Sequence, residues 1–251
     1  MKIETILTPA ELVLVPKSDL HATACVVFDI LRATSTFVTA LQNGAKSIIP
    51  VSEIAEAVAI RLKQPIVLLA GERDGVRIRA SQSSGTDFDF GNSPREFTPD
   101  NIQGGTIVST TTNGTRALRA CAGAQITLAA SFLNLAATAD FIQQKQFATV
   151  LLVCSGTGEQ AALEDVLAAG AMAELLTNSK GNPVACSDST EVARRCYLQA
   201  EGNLPDVISS SQNARRLLAI PELTEDVAFC LQRDVFPVVA AMGTDWAIRR
   251  L

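Results

Sequence analysis

The chain has 251 residues, with 21 lysines and arginines against 26 aspartates and glutamates, for a formal charge of -5. That balance excludes a broad basic face for nucleic acid or anionic lipid, and 5 % aromatic residues exclude a base-stacking platform. Hydrophobic residues at 47 % suffice for a sizeable core and exclude global disorder, while a lone histidine, His21, excludes multi-histidine metal sites.

In chain order, Ala24–Ile30 (ACVVFDI) reads as a buried strand, followed by a helix from Arg32 to Asn43 that Gly44 ends. Ser47–Val51 is a weaker strand, with Pro50 marking an edge or an end. Ser52 caps a helix over SEIAEAVAIRLK, stopped before Pro65. Ile66–Glu72 is the next strand; Thr106–Thr111, Gln125–Ser131 and Thr149–Ser155 follow, each feeding a helical pattern. The segment Arg73–Gln103, rich in Ser, Gly, Asp and Pro, breaks this rhythm, and such segments are more often functional than idle. Ser189–Glu201 and Asp206–Ile220 are helical, and Val227–Leu231 and Val235–Met242 are apolar. These C-terminal runs are candidates to complete the sheet or to form a homodimer interface. Apolar strands alternating with helices predict an α/β fold with a mostly parallel sheet covered on both faces. One compact unit over residues 1–251 is the simplest division, with two interleaved α/β halves as the other.

The cysteines Cys25, Cys121, Cys154, Cys186, Cys196 and Cys230 form no C-x-x-C pair and mostly sit in apolar runs. With no leader pattern over Met1–Val15, they read as reduced thiols in a cytoplasmic protein. No apolar stretch approaches the ~18 residues of a membrane span.

Ligands of a parallel α/β sheet bind beyond the carboxyl ends of its strands. Here those ends carry Asp29 with Arg32, Glu72 with Arg73, Thr111–Thr115, Ser131 with Asn134, and Cys154-Ser155 before Gly156-Thr157-Gly158. Each polar residue alone has a simpler reading as a helix cap. The two acids, each paired with an arginine, point beyond capping. TTTNGT (Thr110–Thr115) opens a helix, where hydroxyls, an amide and free N–H groups suit an anion, and Gly114 permits close approach. Phosphoryl chemistry needs cations for the equatorial oxygens and usually Mg²⁺ held by carboxylates. Asp29, Glu72, Glu164 and Asp165 are the candidate metal ligands. Glu164 and Asp165 are adjacent on a helix, so one of the two is expected to face the site. Arg32, Arg73, Arg77, Arg79 and Arg116 are candidate anion clamps, some of them plain surface charges. Gly156-x-Gly158-x-x-Ala161 resembles a dinucleotide fingerprint but lacks the acid-ended strand that should follow. Cys154 is a candidate reactive thiol, against its simpler reading as a small buried apolar residue.

FDILRATST (Phe28–Thr36), GER (Gly71–Arg73), FGNSPREF (Phe90–Phe97), TTTNGT, SFLNLAATA (Ser131–Ala139), CSGT…LEDVLAAGA (Cys154–Ala171) and DVAFCLQRD (Asp226–Asp234) together resemble the 2-phosphosulfolactate phosphatases, the ComB family of coenzyme M biosynthesis. The resemblance implies a three-layer α/β/α fold with a mostly parallel or mixed sheet. It also implies Mg²⁺-dependent hydrolysis of 2-phospho-3-sulfolactate to 3-sulfolactate and phosphate. The family motifs contain Asp29, Arg32, Glu72, Arg73, Asn92, Ser93, Asn113, Gly114, Thr115, Asn134, Cys154, Glu164 and Asp165. The chain departs at CSGTGEQAALED, where the family more often carries CAG and an aromatic-Ser-Leu-Glu-Asp stretch.

The resulting expectation is a phosphatase of a small, multiply anionic phosphate ester. Asp29, Arg32, Arg73, Asn113 and Cys154 are its candidate catalytic groups. Asn92, Ser93, Thr112, Gly114, Thr115 and Asn134 are its candidate substrate contacts. Two other classes stay open: a non-catalytic anion-binding protein on the same scaffold, and a dinucleotide-binding oxidoreductase built on Gly156–Ala161.

Overall fold

A computed structural model describes residues 1–178 and 184–251. The strands are β1 Lys2–Ile6, β2 Thr23–Phe28, β3 Ser47–Val51, β4 Leu68–Arg73, β5 Val76–Arg77, β6 Thr106–Thr110, β7 Ile126–Ala130, β8 Thr149–Cys154, β9 Ala185–Cys186, β10 Ala240–Met242 and β11 Ile248–Arg250. The helices are α1 Ala33–Gln42, α2 Ile54–Lys63, α3 Pro99–Ile102, α4 Gly114–Ala120, α5 Leu135–Lys145, α6 Leu163–Thr177, α7 Asp188–Ala200, α8 Leu204–Ser209, α9 Gln212–Leu218 and α10 Thr224–Cys230.

All the strands join one sheet in the order β5-β4-β6-β3-β11-β10-β7-β2-β8-β1-β9. β4, β6 and β3 are mutually parallel, as are β7, β2, β8, β1 and β9. The hairpin β10–β11 joins the two sets through antiparallel pairs with β7 and β3. The sheet is therefore mixed, and the C-terminal apolar run completes it. β3 lies inside the sheet instead of at an edge; Pro50 sits one residue before its end, opposite Ser109 of β6. β1 was not expected, because five residues of alternating burial are a weak signal.

The strands are apolar on both faces because both are covered. Along β2, Ala24, Val26 and Phe28 face one core with α5, α6 and α9, while Cys25 and Val27 face another with α1 and α4. This is a three-layer α/β/α arrangement. Residues Ala33–Leu41 of α1 are all buried. Its hydroxyls are satisfied internally: Ser35 donates to the Ile30 carbonyl at 2.8 Å, Thr39 to Ser35 at 2.8 Å and Thr36 to Asn92 at 2.8 Å. Gly170 lets α6 and α7 touch, since a Cβ there would stand 2.1 Å from the Ala193 carbonyl oxygen. Two helix boundaries differ from expectation. Glu53, not Ser52, caps α2, with Glu56 accepting from the Ser52 N–H at 3.2 Å. The pattern 206–220 splits into α8 and α9, because Ser211 caps a new helix by accepting from the Ala214 N–H.

Three antiparallel pairings separate β3 from β7, so the two parallel sets run in opposite directions. In a flat sheet the ends of β2 and β6 would lie at opposite rims. The residues that follow the two strands, Asp29 after β2 and Thr111 and Thr112 after β6, line one cavity instead. Among the described residues no helix is long and apolar enough to cross a membrane.

Candidate active site

The cavity measures about 150 Å³. Asp29, Arg32, Glu72, Asn92, Thr112 and Asn113 line it, with Asp74, Asn213 and Arg216 on the side of α9. Asp29 follows β2, and its Oδ1 accepts from the Ala33 N–H at 3.0 Å as α1 begins. Glu72, near the end of β4, is buried; its Oε2 accepts from the Gly75 N–H at 2.7 Å and its Oε1 from the Thr112 hydroxyl at 3.4 Å. The sharp Asp74-Gly75 turn, with both residues at positive φ, folds back over that carboxylate.

Glu164 and Asp165 open α6 and are both buried, so the expected split between an inward and an outward acid is not observed. Their roles differ instead. Asp165 Oδ1 accepts from the Ile30 N–H at 2.8 Å and Oδ2 from the Gly156 N–H at 3.0 Å. It fastens the β2–α1 turn to the β8–α6 turn. Glu164 Oε1 accepts from Asn213 Nδ2 at 2.7 Å, and its buried Oε2 has no partner.

These carboxylates sense one another. Burial pushes Asp29 up to about 6, and the charges of Glu72 and Glu164 add to it, against the Ala33 N–H that favours the anion. Burial, with Asp29 and Glu164 nearby, likewise pushes Asp165 well above the usual carboxylate range. Among the described residues no three acidic, histidine or cysteine side chains form a ready ligand cluster. The donor set nonetheless fits a hard cation: crowded carboxylates, one with an orphaned buried oxygen, leave negative charge uncompensated.

Gly114 opens α4 directly against Asp29. A Cβ there would stand 2.7 Å from Asp29 Oδ2 and 2.9 Å from the Ala33 Cβ. Gly114→Ala is therefore expected to displace the carboxylate, lowering turnover by roughly 10- to 100-fold and stability by about 1–3 kcal/mol. Steady-state rates and a denaturation midpoint read both. Asn113 lines the cavity, but its amide N–H donates to the Gly156 carbonyl at 2.7 Å and so clips the two loops together. Thr115 lies behind the lining, its hydroxyl 3.4 Å from that of Thr111.

Arg32 lies in the cavity wall but is 3 % exposed and already engaged. Its Nη1 donates to Asp226 Oδ2 at 2.6 Å and its Nη2 to the Gly75 carbonyl at 2.7 Å. Asp226 is fully buried and also accepts from the Ser93 hydroxyl at 2.7 Å, so Ser93 serves this network and does not line the cavity.

The structure leaves three other candidates outside. Arg73 follows Glu72 in a strand, where successive side chains point to opposite faces. It borders a separate groove beside α2, donating to the Glu72 carbonyl and to Thr110 Oγ1. Asn134 is fully buried, accepting from the Ser131 N–H at 2.9 Å and donating to the Val238 carbonyl at 2.9 Å. It caps α5 and ties down the segment leading to β10. Cys154 points into the core with Val150 and Leu152, and burial keeps its thiol protonated. In the Gly156–Ala161 turn, Gly156, Thr157 and Gly158 line the cavity, while Gly156 is packed tightly on its other side: a Cβ there would stand 2.4 Å from the Gln160 carbonyl oxygen and 2.5 Å from Pro9.

Asp74, Asn213, Arg216 and Asp226 were missed as site residues. The Asp-Gly dipeptide is a turn signal that could have flagged Asp74. An acid directly before the apolar run VAFC could have flagged Asp226. Asn213 and Arg216 carry no local signal, being polar residues in a short amphipathic helix.

A profile described as 2-phosphosulpholactate phosphatase matches residues 10–244. The chain is 39 % identical over 232 residues to a probable 2-phosphosulfolactate phosphatase of Thermotoga petrophila, covering 92 % of this chain and 94 % of the relative. It is 40 % identical over 223 residues to one from Caldanaerobacter subterraneus, covering 88 % of each. A third, from Thermosynechococcus vestitus, is 33 % identical over 95 % of both chains. The match spans the segments that carry Asp29, Glu72, Asn113 and Glu164, and the chain belongs to the 2-phosphosulpholactate phosphatase family.

Proposed function

We propose that this chain is a Mg²⁺-dependent phosphatase that hydrolyses 2-phosphosulfolactate to 3-sulfolactate and phosphate. The observation that carries the reading is the meeting of Asp29 and Glu72 in one small cavity, with the buried Glu164 behind its Asn213 wall. Acids crowded around an anionic ester are unfavourable unless a cation intervenes. Asp29, Glu72 and Glu164 would hold Mg²⁺, which when bound supplies charge for the phosphoryl oxygens and a water of lowered pKa. In hydrolysis a water oxygen bonds to phosphorus while the bond from phosphorus to the ester oxygen breaks, and the departing alkoxide takes a proton.

The chain's own groups support that exchange by position. Thr112 offers its hydroxyl beside Glu72 at the cavity mouth. Asp165 keeps the two acid-bearing turns in register through its bonds to Ile30 and Gly156. Arg32 holds the Gly75 carbonyl, and so the turn that covers Glu72. Arg32 is thus a positioning residue, its charge already balanced by Asp226.

The test is phosphate release from 2-phosphosulfolactate with Mg²⁺ and with EDTA, beside 2-phospholactate, phosphoglycerate and phenyl phosphate. Release that is strongest on phosphosulfolactate and abolished by EDTA is expected. Release that is indifferent to EDTA would reject the metal, and release from another ester alone would reject the substrate.

A further inference from the structure

We propose that Arg216 receives the second acid group of the substrate, the carboxylate or sulfonate flanking the phosphate-bearing carbon. This rests on the hydrolase reading above and names the residue that makes it selective.

The argument begins with the charges around the cavity. Asp29, Glu72 and Asp74 line it, and Glu164 lies just behind. Two cations line it among the described residues, Arg32 and Arg216. Both terminal nitrogens of Arg32 are engaged, by Asp226 and the Gly75 carbonyl. Arg95, the nearest further guanidinium to that network, pairs with Glu225 and Asp226 and does not line the cavity. Among the described residues Arg216 has no carboxylate partner. Its hydrogen bond is a long one, 3.5 Å from Nη2 to Asn213 Oδ1. An acid group entering beside the phosphate would meet the charges of Asp29, Glu72 and Asp74, and Arg216 is the lining cation whose charge is not already taken by a carboxylate among the described residues.

The mount for that guanidinium is rigid at its base. Asn213 lies three residues earlier on α9, on the same face. It is 7 % exposed and donates to Glu164 Oε1 and to Thr157 Oγ1, each at 2.7 Å. α9 is thereby bonded to the acid side of the cavity. Arg216 leans across Gly75, with its Nε 4.0 Å from the place a Cβ on that glycine would occupy. Gly75 in turn is held by Glu72 through its N–H and by Arg32 through its carbonyl. The open guanidinium therefore stands one short turn away from Glu72. That places it beside the acids proposed to hold the cation, on the flank open to the ester's second acid group. A planar fork of donors suits a carboxylate or a sulfonate, and an exposed arginine at the rim is free to close on it.

The experiment compares wild type, Arg216→Ala and Arg216→Lys on three esters. These are 2-phospholactate (carboxylate only), phosphorylated 2-hydroxyethanesulfonate (sulfonate only) and phenyl phosphate (neither). Arg216→Ala is expected to raise KM for at least one of the acid-bearing esters by roughly 10- to 100-fold, with a much smaller change in kcat. The preference for that ester over phenyl phosphate should collapse by a similar factor, and lysine should restore part of it. The ester that suffers identifies the group bound. Equal losses on all three esters, or no loss on any, would overturn the assignment. If wild type releases phosphate neither from these three nor from 2-phosphosulfolactate, the hydrolase reading fails; in that case, or if it acts on 2-phosphosulfolactate alone, binding of 3-sulfolactate by calorimetry decides Arg216: weaker binding in Arg216→Ala supports it and an unchanged Kd overturns it. α9 exposes this side chain, so a thermal scan of the variant should match wild type.

Discussion

Replacing Asp29 with asparagine is expected to lower phosphate release by roughly 10³-fold while raising the thermal stability of the metal-free protein. The amide keeps an oxygen for the Ala33 N–H but loses the negative charge that a cation needs. The stability gain follows from the raised Asp29, which stands at about 6 against 3.8 in an unfolded chain. Between those values the native state binds more protons than the unfolded state, so stability falls as pH rises. The loss is complete above pH ~6 and amounts to about 3 kcal/mol from this carboxylate. The Tm of the metal-free chain should therefore drop from pH ~4 to pH ~7. Mg²⁺ should raise it more at pH 8 than at pH 5, because the cation binds the ionised form. In Asp29→Asn both the slope and the Mg²⁺ effect should shrink. Wild-type turnover in the variant would remove Asp29 from the mechanism, and a variant several degrees less stable would reverse the electrostatic account.

Asp226→Ala is expected to be the most destabilising single polar change, at about 3–5 kcal/mol. It strips a fully buried carboxylate from Arg32, itself 3 % exposed, and leaves a guanidinium uncompensated in the interior. The Ser93 hydroxyl loses its acceptor as well. Activity should fall with stability, since Arg32 is what holds the Gly75 turn over Glu72. Arg32→Met with Asp226→Leu removes both charges together and should recover most of the stability without recovering turnover. Urea denaturation of the single and double variants reads this. A single-variant loss below ~1 kcal/mol, or a double variant as unstable as the single, would contradict a buried pair of this weight.

The strands that carry the site were legible because their signals are local. Continuous apolar runs ending in Asp29, Glu72, Thr110 and Cys154 mark buried strands, and each gives way to a helix or turn within a few residues. The acids at those ends were visible for the same reason. The motifs that resemble the 2-phosphosulpholactate phosphatase family are legible for the same reason, being short and contiguous.

Which side chains meet was decided by pairing across the fold. Glu72 and Arg73 are neighbours in sequence, yet strand alternation sends one to the cavity and the other to a groove beside α2. Asn134 and Cys154 sit at strand ends like the others, but one caps a helix and the other faces the core. Asp226 reaches Arg32 across 194 positions and Asn213 reaches Glu164 across 49. The apolar run at Val235–Met242 was legible as a candidate to complete the sheet, but its place between β7 and β3, where the hairpin β10–β11 reverses one parallel set against the other, was not. By itself the sequence determined the strand–helix alternation, the acids at the strand ends and the family, because periodicity, capping and motif spacing act over a few residues. Only the tertiary structure decided which of those acids converge, which arginine is already paired and which is left open, because charge compensation depends on neighbours that the chain brings together from far apart.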